Sequence, residues 1–245
     1  MMATGGKGGT IPQRTMRSLV LVPSQLCTAA VWKHQIEALT GSTEITVADH
    51  CGPDSMERLA GTILDCAPPR FALAAHGMGG FIALEMWRQA AHRIERLALL
   101  GTLATADTEA QVRRRRGYSE LVRSGRFAQV IEDRMPILFR DGRDASETLI
   151  GIARSMAAET GPQRFLCQQQ AILSRPDSQG TLPTIHCHTL VVAGQYDRVA
   201  PVNEAMAMAR AIQSCRLEVI PDCGHLFMLE QPERTTLLLK EWLAA

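Results

Sequence analysis

Short apolar runs and amphipathic stretches alternate along the first hundred residues. Ser18 to Val22, Glu44 to Ala48, Phe71 to Ala75 and Ile94 to Leu100 have strand length, and the most apolar of them are continuous rather than alternating, as in strands buried on both faces. Between them the spacing is helical. Trp32, Ile36 and Leu39 share one face of a helix over 29–39, and Asp54, with Glu57 three residues on, predicts a capped helix running to about Cys66. Phe81, Leu84 and Trp87 lie on neighbouring faces of a third helix over 81–91. Short links between strands and helices force a parallel sheet with helices on both faces. The rhythm breaks at residue 102. As far as residue 182 no run reads as a strand, and helices are expected near 108–124, 126–138, 144–159 and 161–174, punctuated by Gly125, Pro136, Gly142 and Pro162. Alternation then resumes with strand 189–193, helix 202–212, strand 216–220 and a last helix from about Pro232 to Leu243. The pattern predicts an α/β fold: a tail over 1–16, one sheet domain built from 17–101 and 183–245, and a helical insertion over 102–182.

Composition narrows the partners. A chain of 245 residues that is 46% hydrophobic can bury one sizeable core. Its formal charge of +1 gives no general attraction to nucleic acid or anionic membranes, and a small, roughly neutral molecule is the expected partner. No apolar run approaches the roughly 18 residues that span a bilayer, and the N-terminus lacks a signal-peptide core, so a soluble, cytoplasmic protein is expected. Seven cysteines without CxxC spacing read as reduced thiols, with no metal site or other cofactor. Gly5 to Thr10 lacks the spacing of a phosphate loop. Arg113 to Arg116 point in four directions around a helix and read as a solvated face, and the strand-like alternation of His186-Cys187-His188 keeps those side chains from converging. Oligomeric state is not legible.

The chemistry gathers at three corners. The first is Ala75-His76-Gly77-Met78-Gly79, a tight turn between a buried strand and a helix. Asp197 follows the strand at 189–193 within Gly194-Gln195-Tyr196-Asp197-Arg198-Val199-Ala200-Pro201, and His225 precedes the last helix within Asp222-Cys223-Gly224-His225. These three stretches resemble the nucleophile elbow, acid loop and histidine loop of the α/β-hydrolase family, and they occur in that family's order. The resemblance implies an α/β-hydrolase fold, with a mostly parallel central sheet flanked by helices and the insertion serving as a cap. It implies hydrolysis of a small carboxylic ester or related carbonyl compound, without a cofactor. Asp197 would orient His225, His225 would act as base, and the backbone amides of Gln25 and Met78 would form the oxyanion hole.

The elbow departs from the family at the decisive position. Where GxSxG carries its serine, this chain has Gly77, which cannot form an acyl-enzyme. Position 24, usually glycine in an HG or PG loop, carries serine within Pro23-Ser24-Gln25. Three accounts stand side by side: a hydrolase whose serine has been replaced, so that turnover is impaired; a natural site whose His225 and Asp197 carry out base chemistry of a lyase or cofactor-free oxygenase type; or a binding or signalling pseudo-enzyme. Ser24 and His76 are secondary site candidates. Ser24 reads first as a loop hydroxyl and second as a displaced nucleophile, and Cys27 and Cys223 read first as packed thiols.

Overall fold

The computed structural model describes residues 17–50, 52–142 and 145–245; the expected tail over 1–16 lies outside them. Six strands form one sheet: β1 (Arg17–Val22), β2 (Thr43–Val47), β3 (Phe71–His76), β4 (Ile94–Leu100), β5 (His188–Gly194) and β6 (Cys215–Ile220). Their order is β2-β1-β3-β4-β5-β6, and all five ladders are parallel, so the sheet is wholly rather than mostly parallel among the described residues. Every strand therefore ends at the same edge of the sheet. The register pairs Val22 with Ala75, His76 with Leu100, Leu100 with Val192 and Gly194 with Ile220. The loops following β1, β3, β5 and β6 are thus brought together where open α/β sheets bind ligands.

Alternation along each strand divides the core. Val20, Leu73, Leu97 and Val191 face one layer, packed under α2 (Met56–Cys66), α3 (Met78–Ala90) and α7 (Val202–Ala211). Leu19, Ala72, Ala98 and Leu190 face the other, where α1 (Lys33–Leu39) and α9 (Pro232–Ala244) lie. Between β4 and β5 run α4 (Glu109–Arg123), α5 (Phe127–Leu138) and α6 (Glu147–Leu173). Gly161, at φ 73°, breaks α6 where two separate helices are expected. The insertion shares the sheet's apolar layers: Val130, Ile131 and Phe165 belong to one, Ala171 and Ile172 to the other. A four-residue helix, α8 (Phe227–Glu230), precedes α9.

Two local expectations shift. The N-cap of α2 is Ser55, whose hydroxyl accepts from Arg58 N–H, because its extended backbone aims the side chain at the first turn; Asp54 instead pairs with Arg58 at the surface. Helix α3 begins at Met78 rather than Phe81, immediately after the turn. The insertion is tied down by charge as well. The side chain of Asp107, 4% exposed, pairs with Arg175 at 2.9 Å and also with Arg115, while the Arg175 guanidinium lies 4.1 Å from the centre of the Phe81 ring. Burial works against ionisation at Asp107, yet the Arg115 and Arg175 guanidinia hold its carboxyl below the ordinary range. Replacing Asp107 with Ala leaves two enclosed cations uncompensated and is expected to cost about 3–5 kcal/mol, read by denaturant unfolding.

Candidate active site

The site is built at the carboxyl edge of β3. Gly77 N–H donates to Leu100 O at 2.9 Å and Thr102 Oγ1 donates to Gly77 O at 2.7 Å, fixing a turn with φ 55° and ψ −115°. Glycine adopts that conformation freely, whereas an L side chain is strained there. Helix α3 starts so close to the first-strand loop that a β-carbon on Gly79 would press on the Val22 and Pro23 carbonyl oxygens. The elbow and the Pro23–Cys27 loop are therefore in direct contact.

That contact decides what fills the elbow. A β-carbon on Gly77 would overlap Ser24 Oγ, stand 2.8 Å from Ser24 Cβ and lie 3.2 Å from His225 Nε2. The Ser24 hydroxyl thus occupies the place of the missing side chain, beside the histidine. Its oxygen accepts from Met78 N–H at 3.3 Å, and the ring of His50 lies 3.0 Å from the Ser24 carbonyl oxygen, bracing the loop from behind. Ser24 is 6% exposed.

Asp197 and His225 meet as expected. His225 Nδ1 donates to Asp197 Oδ2 at 2.8 Å, and Asp197 Oδ1 accepts from Val199 N–H at 2.7 Å and Ala200 N–H at 2.8 Å. An ionised carboxylate only accepts, so the proton sits on Nδ1 and the Nε2 lone pair faces the Ser24 side. The histidine loop is held by the insertion: His225 N–H and Leu226 N–H both donate to Leu138 O at the end of α5. Glu230 closes the same loop by accepting from Gly224 N–H and Arg140 N–H.

Ser24, Gln25, Gly77, Met78 and His225 line one cavity, with Asp197 directly behind the histidine. Nε2 of Gln25 is buried there without a hydrogen-bond partner. His76 stands apart from the cavity wall. Its Nε2 donates to His225 O at 3.1 Å and its ring stacks 4.5 Å from the His225 ring, a supporting position. The thiols offer no nucleophile: burial pushes both Cys27 and Cys223 up to about 12, which keeps them protonated. Among the described residues no three His, Cys, Asp or Glu side chains converge as a metal-ligand set.

The arginines depart from expectation. Arg114 and Arg115 reach the cavity because they share the face of α4 that lines it with Gln111 and Tyr118, so the run is not simply a solvated face. Arg134 and Arg198 join them, and among the described residues no Asp or Glu lines the wall. A near-zero total charge concealed a cationic cavity. Sequence reasoning passed over Arg134, His50 and Thr102; helical periodicity could have placed Arg134 beside the buried Val130 and Ile131, but nothing in the spacing points to His50.

Burial first, and the His225 ring second, hold His76 well below its ordinary 6.5; burial likewise lowers His50. Below about pH 6.5 the unfolded chain binds protons at these rings that the folded chain refuses. Stability should therefore fall with pH in that window, by up to about 1.4 kcal/mol per pH unit for each ring. Chemical unfolding at pH 7 and pH 5 checks this, with a shallower fall expected for His76→Phe.

Three comparisons bear on this geometry. A pimeloyl-[acyl-carrier protein] methyl ester esterase from Nitrosomonas europaea is 23% identical, the match covering 88% of this chain and 91% of that protein. A thermophilic esterase from Thermogutta terrifontis, solved with malate bound, is 30% identical with a TM-score of 0.83, covering 94% of this chain and 90% of its own. The enol-lactonase of Burkholderia xenovorans LB400 has the same fold at 20% identity and a TM-score of 0.85, covering 96% of this chain and 94% of its own. The model of the alpha/beta hydrolase family matches residues 31–236, most of the chain, and with the parallel sheet and its elbow this establishes that the chain belongs to the α/β-hydrolase family.

Proposed function

We propose that this protein hydrolyses a small carboxylic ester or related carbonyl compound, with Ser24 as the nucleophile in place of the elbow serine. The observation that carries the reading is the overlap of Ser24 Oγ with the side-chain position of residue 77, beside His225 Nε2. The family's usual glycine and serine positions are exchanged, and the hydroxyl stays at the same point in space. The esterases among the relatives support ester chemistry.

In this reading the proton moves between Ser24 and His225, which flank the side-chain position of residue 77. His225 Nε2 takes the proton of Ser24 as Oγ attacks the carbonyl carbon, and Asp197 stabilises the imidazolium through Nδ1. The Met78 amide, which donates to Oγ in the resting site, and the Gln25 amide donate to the developing oxyanion. Collapse expels the alcohol, which receives the proton from His225. A water deprotonated by the same nitrogen then cleaves the acyl-Ser24 ester, releasing the carboxylic acid and restoring the hydroxyl. The helices between β4 and β5 act as the cap over this cavity. We place the activity in the cytoplasm on the sequence grounds above.

A fluorophosphonate probe followed by peptide mass spectrometry should label Ser24, and Ser24→Ala should abolish labelling and lower kcat/KM on p-nitrophenyl esters at least about 100-fold. Unchanged turnover in Ser24→Ala would sink the assignment. If that turnover still vanished in His225→Ala, direct base chemistry would be favoured; saturable binding without conversion would favour a pseudo-enzyme.

Restoring the elbow alone should not help. Gly77→Ser crowds Ser24 and should cost about 1–3 kcal/mol, measured by denaturant unfolding. Adding Ser24→Gly removes the conflict; in that double variant the probe should label residue 77 and ester turnover should exceed that of Gly77→Ser.

A further inference from the structure

Among the described residues, the cavity wall holds one partly enclosed cation that the fold leaves unanswered. Arg134, on α5, is half-buried, and its Nε is fully enclosed without a hydrogen-bond partner. Among the described residues no carboxylate pairs with it. The other wall arginines are differently placed: Arg115 is neutralised by Asp107, Arg198 donates to the Pro136 and Arg140 carbonyl oxygens, and Arg114 is exposed to solvent. Burial most strongly, then the neighbouring Arg115, pulls Arg134 down to about 10, which leaves it charged at neutral pH. Tyr118, Cys27 and Arg114 are its other close titratable neighbours, and Cys27 lies in the same short loop as Ser24.

An enclosed guanidinium without a counter-ion is costly, and its planar fork of N–H donors matches a carboxylate. The Coulomb energy of such a pair is larger in a cavity than in bulk water. A wall with four arginines and, among the described residues, no acid favours an anion over a neutral ligand throughout.

We infer that Arg134 is the binding site for a carboxylate carried by the substrate, so that the ester cleaved at Ser24 is a monoanion such as a half-ester of a dicarboxylic acid. This rests on the ester-hydrolysis reading for its chemistry, but the anion site itself can be read without turnover. Arg134 binds and orients, and takes no proton in the reaction. Among matched substrates the carboxylate-bearing ester gains the pairing energy, whereas a neutral ester of equal length leaves the cation unpaired.

The test compares p-nitrophenyl hemisuccinate with p-nitrophenyl butyrate, and follows the thermal midpoint with and without succinate. The unaltered protein should prefer the hemisuccinate at least about tenfold in kcat/KM, a difference of about 1.4 kcal/mol. Arg134→Met should bring that ratio toward one and abolish the succinate-induced rise in midpoint. Because Arg134 has no hydrogen-bond or ion-pair partner among the described residues, the variant should melt no lower than the parent, which separates lost binding from lost folding. Equal preference for the two esters, or a preference retained in Arg134→Met, overturns the inference while leaving ester hydrolysis at Ser24 intact. Succinate stabilisation that depends on Arg134 but occurs without turnover of either ester supports the anion site and defeats the hydrolysis reading. No succinate effect and no preference defeats the anion site.

Discussion

Everything at the carboxyl edge of the sheet depends on a volume that accepts only one side chain. Strand β3 passes into α3 through the single residue Gly77, and the Pro23–Cys27 loop packs so closely against this corner that Ser24 Cβ and a β-carbon at 77 cannot coexist without a shift. Glycine at 77 and serine at 24 are two halves of one steric solution. The positive φ that strains a serine at the usual elbow is carried here by glycine, so the hydroxyl enters from a neighbouring loop and the turn itself is relieved.

Around that volume the site is assembled from distant parts of the chain. Parallel pairing brings the ends of β1, β3, β5 and β6 to one edge, and Asp197 is locked by two amides before it holds the imidazole. His225 is positioned as much by the insertion as by the sheet, since the carbonyl of Leu138 accepts from its amide. Helices α4 to α6 hold the His225 loop, share the sheet's apolar layers and bring arginines to the cavity.

The electrostatics show why total charge is a poor guide to a pocket. The chain carries a formal +1, yet Asp107 is engaged by Arg115 and Arg175 outside the cavity wall, and among the described residues the wall itself has no acid. Field inside a low-dielectric cleft follows the few groups that line it, while the remaining charges are screened at the surface.

Much of the architecture was legible because it rests on local rules. Apolar runs, continuous in β3 and alternating in β2 and β6, marked the six strands, helical spacing and Gly or Pro breaks marked the helices between β4 and β5, and three short loops carried the elbow, Asp197 and His225. The N-cap of α2 and the first turn of α3 moved by one to three residues because backbone angles decide which side chain reaches a free amide. Sequence alone determined that position 77 has no nucleophile and that position 24 carries a hydroxyl. Only tertiary structure decided that these two facts concern the same point in space, and that Arg134 lines the same cavity without a counter-ion among the described residues. The residues lie 53 and 110 positions from Ser24 along the chain, and such proximity is set by strand order and helix packing, which leave no mark in local spacing.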